Sequence, residues 1–156
     1  MPLTFHTADV KFSLKEKKKL KEFIKHQISD TGHQTVNLSF IFCSDEYLLN
    51  INKKFLNHDY YTDIITFPLS DEKDKIEAEI YISVERVKEN SLQLKDRKSE
   101  IRSQKSESEE RFSKELHRVM FHGVLHLLGY KDKTKVQKAE MRKMEDKWLK
   151  QMANFK

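Results

Sequence analysis

The sequence predicts an α+β fold in which a small mixed sheet of about four strands packs with about five helices. Three observations predict it. Several short stretches alternate apolar and polar residues with the period of two that a half-buried strand requires. Longer stretches between and after them repeat apolar residues at three and four positions, as an amphipathic helix does. The chain of 156 residues also shows no internal repeat and no composition break, which points to one domain over residues 1–156.

The elements follow in order. Leu3–Val10 is expected to hold a first short strand. Ser13 precedes a helical stretch whose apolar residues Leu14, Leu20, Phe23, Ile24 and Ile28 favour one face, and Asp30-Thr31-Gly32 ends it. Thr35–Cys43 alternates through Val36, Leu38, Phe40 and Phe42, a strand with one face more deeply buried. Ser44-Asp45 is suited to cap a helix running through Tyr47, Leu48 and Ile51 to Phe55. Ile64–Phe67 is a short strand stopped by Pro68, and Ala78–Val84 another, alternating through Ile80 and Ile82. A helix from Val84 to about Leu94 is expected next, then a polar loop or frayed helix end over residues 95–110. Phe112 to Leu128 reads as a helix whose second half is apolar on nearly every face and therefore buried, with Gly129 as its stop. A last amphipathic helix carries Val136, Met141, Met144, Trp148 and Met152 on one side.

Composition narrows the functional classes. No apolar run approaches the roughly 18 residues of a membrane span, so no membrane role is expected. The first 19 residues lack a charged-then-apolar export signal, and a single cysteine, Cys43, forms no internal disulfide. Both fit a cytoplasmic setting. Cys43 lies in an apolar strand and reads as core rather than nucleophile. Three glycines leave little material for a glycine-rich phosphate loop. Thirty Lys and Arg against 25 Asp and Glu give a net charge of +5, and the excess is clustered. Residues 131–150 hold eight bases against four acids, and residues 15–25 hold six against two. Such clusters attract polyanions, though a Lys-rich helix face taken alone is more often plain solvated surface.

The chemistry concentrates in His122-Gly123-Val124-Leu125-His126. Four-residue spacing puts both imidazoles on one helical face, one turn apart, where two ring nitrogens can bind one ion at about 2.0–2.1 Å. The same spacing also fits two hydrogen-bonded histidines with no ion. Burying two imidazoles in so apolar a helix is costly unless they are paired or ligated. Asp132, just past the Gly129 turn, is close enough in sequence to return a carboxylate to the pair. Two His and one Asp leave a fourth position for water, the catalytic rather than the closed structural arrangement of zinc, and the set also suits non-haem iron(II). Gly123 stands where a His-Glu-x-x-His metallopeptidase carries its general base, so peptidase chemistry is disfavoured. A helical Gly costs about 1 kcal/mol against Ala, which tight packing on a neighbouring strand would explain.

The run Glu115 to Tyr130, with its His-Gly-Val-Leu-His-Leu-Leu-Gly-Tyr core, resembles the signature of the YbeY family of bacterial metal-dependent endoribonucleases. Thr62-Asp63-Ile64-Ile65-Thr66-Phe67-Pro68 is similar to that family's Thr-Asp-Val-Leu-Ser-Phe-Pro block, and Glu79-Ile80-Tyr81-Ile82-Ser83 to its Gly-Asp-Ile-x-Ile-Ser strand. The resemblance implies a single-strand-preferring endoribonuclease that acts late in processing of the 3′ end of small-subunit ribosomal RNA and in ribosome quality control. It implies one zinc ion per chain, held by His122, His126 and Asp132. It also implies partnership with ribosomal RNA, the small ribosomal subunit and ribosomal proteins. Two positions depart from the family pattern. Asp132 stands where the third ligand is usually His, and Leu56 where an Arg usually serves the RNA phosphates. Lys53, Lys54, His58, Lys131 and Lys133 are the candidates to contact RNA instead; Tyr60 or Tyr61 could stack on a base or simply pack, and packing is the favoured role for Tyr130. Loss of that Arg keeps open a second function: a ribosome-assembly or RNA-binding factor whose metal site is largely structural.

Overall fold

The structure is a computed structural model and describes residues 2–93 and 105–156. The elements run β1 (Leu3–Thr7), α1 (Lys17–Asp30), β2 (Gln34–Cys43), α2 (Asp45–Leu56), β3 (Ile64–Pro68), β4 (Lys75–Ser83), α3 (Val84–Gln93), α4 (Lys105–Leu127) and α5 (Lys135–Asn154). The sheet is mixed, with order β1-β2-β4-β3. β1 pairs parallel with β2 and β2 parallel with β4, while β3 turns back antiparallel along β4, with Ile65 opposite Tyr81. Parallel neighbours need long crossovers, which α1 supplies between β1 and β2, and α2 with β3 between β2 and β4.

The period-two patterns decide which side of the sheet is covered. Leu38, Phe40 and Phe42 of β2 and Ile76, Ala78, Ile80 and Ile82 of β4 point into the main core with α1, α4 and α5. Cys43, Ile65 and Leu48 form a smaller cluster on the opposite side, with Phe67 and Tyr81 packed against it. α4 is the central helix: Val119, Met120, Phe121, Val124 and Leu125 are all buried, as the all-round apolar pattern requires. The Cys43 thiol is buried, and desolvation pushes its pKa up to about 12, so it is a core side chain and not a nucleophile.

The stretch Leu3–Val10 holds its short strand as expected, over Leu3–Thr7. Some details differ from expectation, among them the start of β4 at Lys75 rather than Ala78. The helix expected directly after Ser13 begins later, at Lys17, leaving Leu14 outside it; its N-cap Glu16 is left-handed with φ 58°, and no side chain caps it. α4 begins at Lys105, so residues 105–110 are helical, while residues 95–104 lie outside the described part. Ser-Glu-Ser-Glu-Glu is polar but compatible with a helix, and the Glu107 carboxylate lies 3.9 Å from Arg111 one turn on. Val136 is 67 % exposed and does not join Met141, Trp148 and Met152 on the buried side of α5, because it sits in the first turn, ahead of the contact with α4.

Gly123 faces Ile64 and Ile80. A Cβ built on it would stand 2.9 Å from Ile64 Cδ1 and 3.1 and 3.2 Å from Ile80 Cδ1 and Cγ2. The missing side chain lets α4 lie close on the β3–β4 hairpin, which answers why a helix accepts a glycine there. Gly123→Val is therefore expected to overpack this contact and cost about 1–3 kcal/mol, read as a lower midpoint in chemical denaturation. An unchanged midpoint would mean that the helix and hairpin are farther apart.

A candidate metal centre in an open cleft

α4 brings His122 and His126 to one face, their ring centroids 4.6 Å apart. The helix then stops by a Schellman motif. Tyr130 N–H donates to the Leu125 carbonyl, Gly129 N–H donates to that of His126, and Gly129 takes φ +107°. Tyr130 packs against the core, so it is a packing residue rather than a free stacking surface. α5 starts at Lys135 with a capping box, in which the Thr134 hydroxyl accepts from Gln137 N–H and the Gln137 side chain accepts from Thr134 N–H. The Gln137 side chain also accepts from Lys133 N–H. The short connection is thus fixed at both ends, and it returns Asp132 to the two histidines.

Asp132 Oδ2 lies 3.2 Å from His122 Nε2 and 3.5 Å from His126 Nε2. The three ligand atoms all lie within 4.8 Å of one another. Ligands about 2.1 Å from a tetrahedral ion sit about 3.4 Å apart, so the spacing and the donor set fit one metal ion with a position left over. All three side chains are partly exposed, at 23, 33 and 38 %, so solvent reaches the triad.

Further groups surround the triad. The His122 Nδ1 and Glu145 Oε2 are 2.6 Å apart. Glu145 is only 5 % exposed, and Arg118 reaches its other oxygen at 3.4 Å while binding Asp146 at 2.8 Å and Glu115 at 3.6 Å. Burial by itself disfavours the His122 imidazolium, but Glu145, Asp132 and Asp63 outweigh that and raise its pKa. Asp63, just before β3, lies on the cleft wall with His122, and burial raises its pKa while the charge of His122 opposes the rise. Glu145 and Asp63 were not singled out from the sequence. Glu145 had a readable signal: a carboxylate at the i+4 position of Met141 and the i−3 position of Trp148, on the apolar side of α5. Asp63 had none beyond its place in the Thr62–Pro68 block.

The triad stands in the wall of an open cleft of about 860 Å³ that also involves α2, the following loop and the β3–β4 connection. Of the five residues expected to contact RNA, His58 and Lys133 line this cleft, beside Tyr60. Lys53 pairs with Asp59 at 3.5 Å, Lys54 lies over the Phe55 ring, and Lys131 is exposed, all three outside the cleft lining. Lys73 and Lys75 line the cleft and were not anticipated. Tyr60 is 56 % exposed and stacks on His58 at 5.1 Å, whereas the Tyr61 hydroxyl donates to Glu46 and Arg86 lies over its ring. Leu56 is on the cleft wall at the position without a guanidinium.

His117 is not part of this site. It is buried one turn before Phe121, and desolvation lowers its pKa, with Glu16 opposing. Burial favours the neutral ring, so the unfolded chain takes up a proton first as pH falls below 6.5. The stability advantage of wild type over His117→Gln is therefore expected to be fully present above pH 6.5 and to shrink below it. Melts of both proteins from pH 8 to 5 check this, and a pH-independent difference would contradict it.

Fold and site together define an α+β protein with two histidines and an aspartate placed to hold one metal ion at the wall of an open cleft. The family described as Endoribonuclease YbeY matches residues 3–153, and the chain belongs to that family. It is 44 % identical over 142 residues to the Endoribonuclease YbeY of Cytophaga hutchinsonii, covering 91 % of this chain and 90 % of the other. It is 41 % identical over 145 residues to that of Amoebophilus asiaticus, covering 93 and 89 %. A solution structure of TM1509 from Thermotoga maritima is similar over 96 % of this chain and 88 % of that one, with 26 % identity and a TM-score of 0.61. Membership supports hydrolysis of RNA. Among the described residues, no helix is long and apolar enough to cross a membrane.

Proposed function

We propose that this chain is a zinc-dependent, single-strand-preferring endoribonuclease that trims the 3′ end of small-subunit ribosomal RNA late in its processing and takes part in ribosome quality control. It works in the cytoplasm on ribosomal RNA held with the small subunit and its proteins. The observation that carries the reading is the convergence of His122 Nε2, His126 Nε2 and Asp132 Oδ2 at the wall of an open cleft. These three residues would hold the zinc, which when bound lowers the pKa of a water to about 7 and polarises a phosphoryl oxygen.

The chain's own residues supply the rest. Lys133 and Lys73 stand among the carboxylates of the cleft wall as its candidate phosphate contacts, which make binding salt-dependent, while Lys75 is paired with Glu72 at 3.1 Å. Tyr60 offers an exposed ring on which an unpaired base can stack, an interaction of about 1–3 kcal/mol. A base is free to stack only where it is unpaired, which favours single strands. Asp63 gives the cleft a carboxyl group whose raised pKa makes it a better proton acceptor than an ordinary aspartate.

The test is incubation of purified, zinc-loaded protein with ribosomal RNA. Cleavage that disappears in His126→Ala while RNA binding remains is the expected result. The cleft wall at Leu56, where the family's usual guanidinium is missing, favours a second reading: an assembly factor that binds RNA without turnover. RNA binding with no cleavage in either protein would establish that reading and overturn the nuclease.

A further inference from the structure

We propose that Glu145, held by Arg118, is a positioning residue that fixes the ring proton of His122 on Nδ1 and so leaves Nε2 free to ligate. The inference rests on His122 being a metal ligand.

Two carboxylates flank the one imidazole. Glu145 faces Nδ1 at 2.6 Å and Asp132 faces Nε2 at 3.2 Å. A neutral ring carries a single proton, so only one of the two can accept it. Glu145 wins on both geometry and surroundings. Its contact is shorter, and its side chain is 6 % exposed against 38 % for Asp132. Water therefore screens the Asp132 contact more, while the buried charge of Glu145 is compensated by His122, by Arg118 and, at 4.0 Å, by Arg142. With the proton on Nδ1, Nε2 keeps its lone pair, and this atom lies 3.2 Å from Asp132 Oδ2 and within 4.8 Å of the His126 ligand nitrogen.

Arg118 makes the arrangement rigid. Its guanidinium is 15 % exposed and spans three acids: Nη1 reaches Glu145 and Asp146, and Nε reaches Glu115. Glu115 and Arg118 belong to α4, Glu145 and Asp146 to α5. The clamp ties together the helix that carries His122 and the helix that carries its partner. A carboxylate set behind a ligating histidine typically changes metal affinity about 10–100-fold when removed.

The experiment compares wild type with Glu145→Met, which keeps length and apolar bulk but offers no acceptor, and Glu145→Gln, which keeps an acceptor without charge. The first readout is nitrogen NMR of metal-free protein, with the His122 ring neutral. Wild type is expected to show the proton on Nδ1, and Glu145→Met to move it toward Nε2, where Asp132 accepts it. The second readout is zinc affinity by competition with a chelator, expected to fall about 10–100-fold in Glu145→Met and by less in Glu145→Gln. Should Glu145→Met not fold, Glu145→Gln decides: zinc affinity equal to wild type overturns the proposal. A wild-type ring protonated on Nε2, or a Glu145→Met ring unchanged from wild type, overturns it as well. His122→Ala keeps the two readings apart. If that variant binds zinc as wild type does, the ligand assignment fails, while the proton's place on the ring is still read directly in metal-free protein.

Discussion

His126→Ala is expected to strip the chain of stoichiometric zinc and to abolish RNA cleavage while the fold remains. The side chain is one-third exposed, in the last turn of α4, so its removal leaves no large cavity. What it removes is one of three protein donors. Tight protein zinc sites are worth about 10–16 kcal/mol in all, so one ligand in four carries about 3 kcal/mol, or about 100-fold in affinity. Elemental analysis after dialysis measures the stoichiometry, and circular dichroism confirms the fold. One zinc per chain retained in the variant would remove His126 from the site. Asp132→Ala is expected to behave alike, whereas Asp132→His restores the family's usual donor and is expected to keep the ion.

Phe121→Ala is expected to have the largest effect on stability. The ring is fully buried and meets Phe23 of α1 at 5.4 Å, tilted by 49°, and Trp148 of α5 at 5.6 Å, edge-on at 73°. Deleting a buried phenylalanine costs about 3–5 kcal/mol in transfer and cavity terms together. At about 2–4 °C per kcal/mol for a chain of this size, Tm falls by about 6–20 °C. The variant is expected to lose zinc only as it unfolds, since no ligand changes. A drop smaller than about 2 °C would mean that the three helices do not meet at this ring.

The two cases show which parts of the molecule were readable before the structure. Phe121 and its neighbours were legible because nearly every position of that half-helix is apolar, and such a pattern has one solution. His122 and His126 were legible because helical spacing is a geometric constraint. Asp132 was legible as a residue near enough to return and as the place of the family's usual third ligand, whereas the path that returns it depends on the hydrogen bonds of Gly129, Tyr130, Thr134 and Gln137, which the sequence does not show. Glu145 lies 23 residues from His122 and meets it only because α5 folds back on α4. No local pattern carries that distance. The split of lysines is a similar case: Lys133 reaches the cleft and Lys131 does not, although they stand two residues apart. The start of α1 was misplaced because Ser13 has the right chemistry for a cap, while the chain bends through Glu16 before the helix begins.

The connection between α4 and α5 has a consequence for how this family can vary. Its two ends are anchored by main-chain and Gln137 contacts that do not involve the side chain at position 132. That position is therefore a socket whose shape is set from outside, into which evolution can plug imidazole or carboxylate without recasting the scaffold. Swapping the one for the other alters the charge the ion feels, and with it the acidity of a coordinated water, as an independent dial.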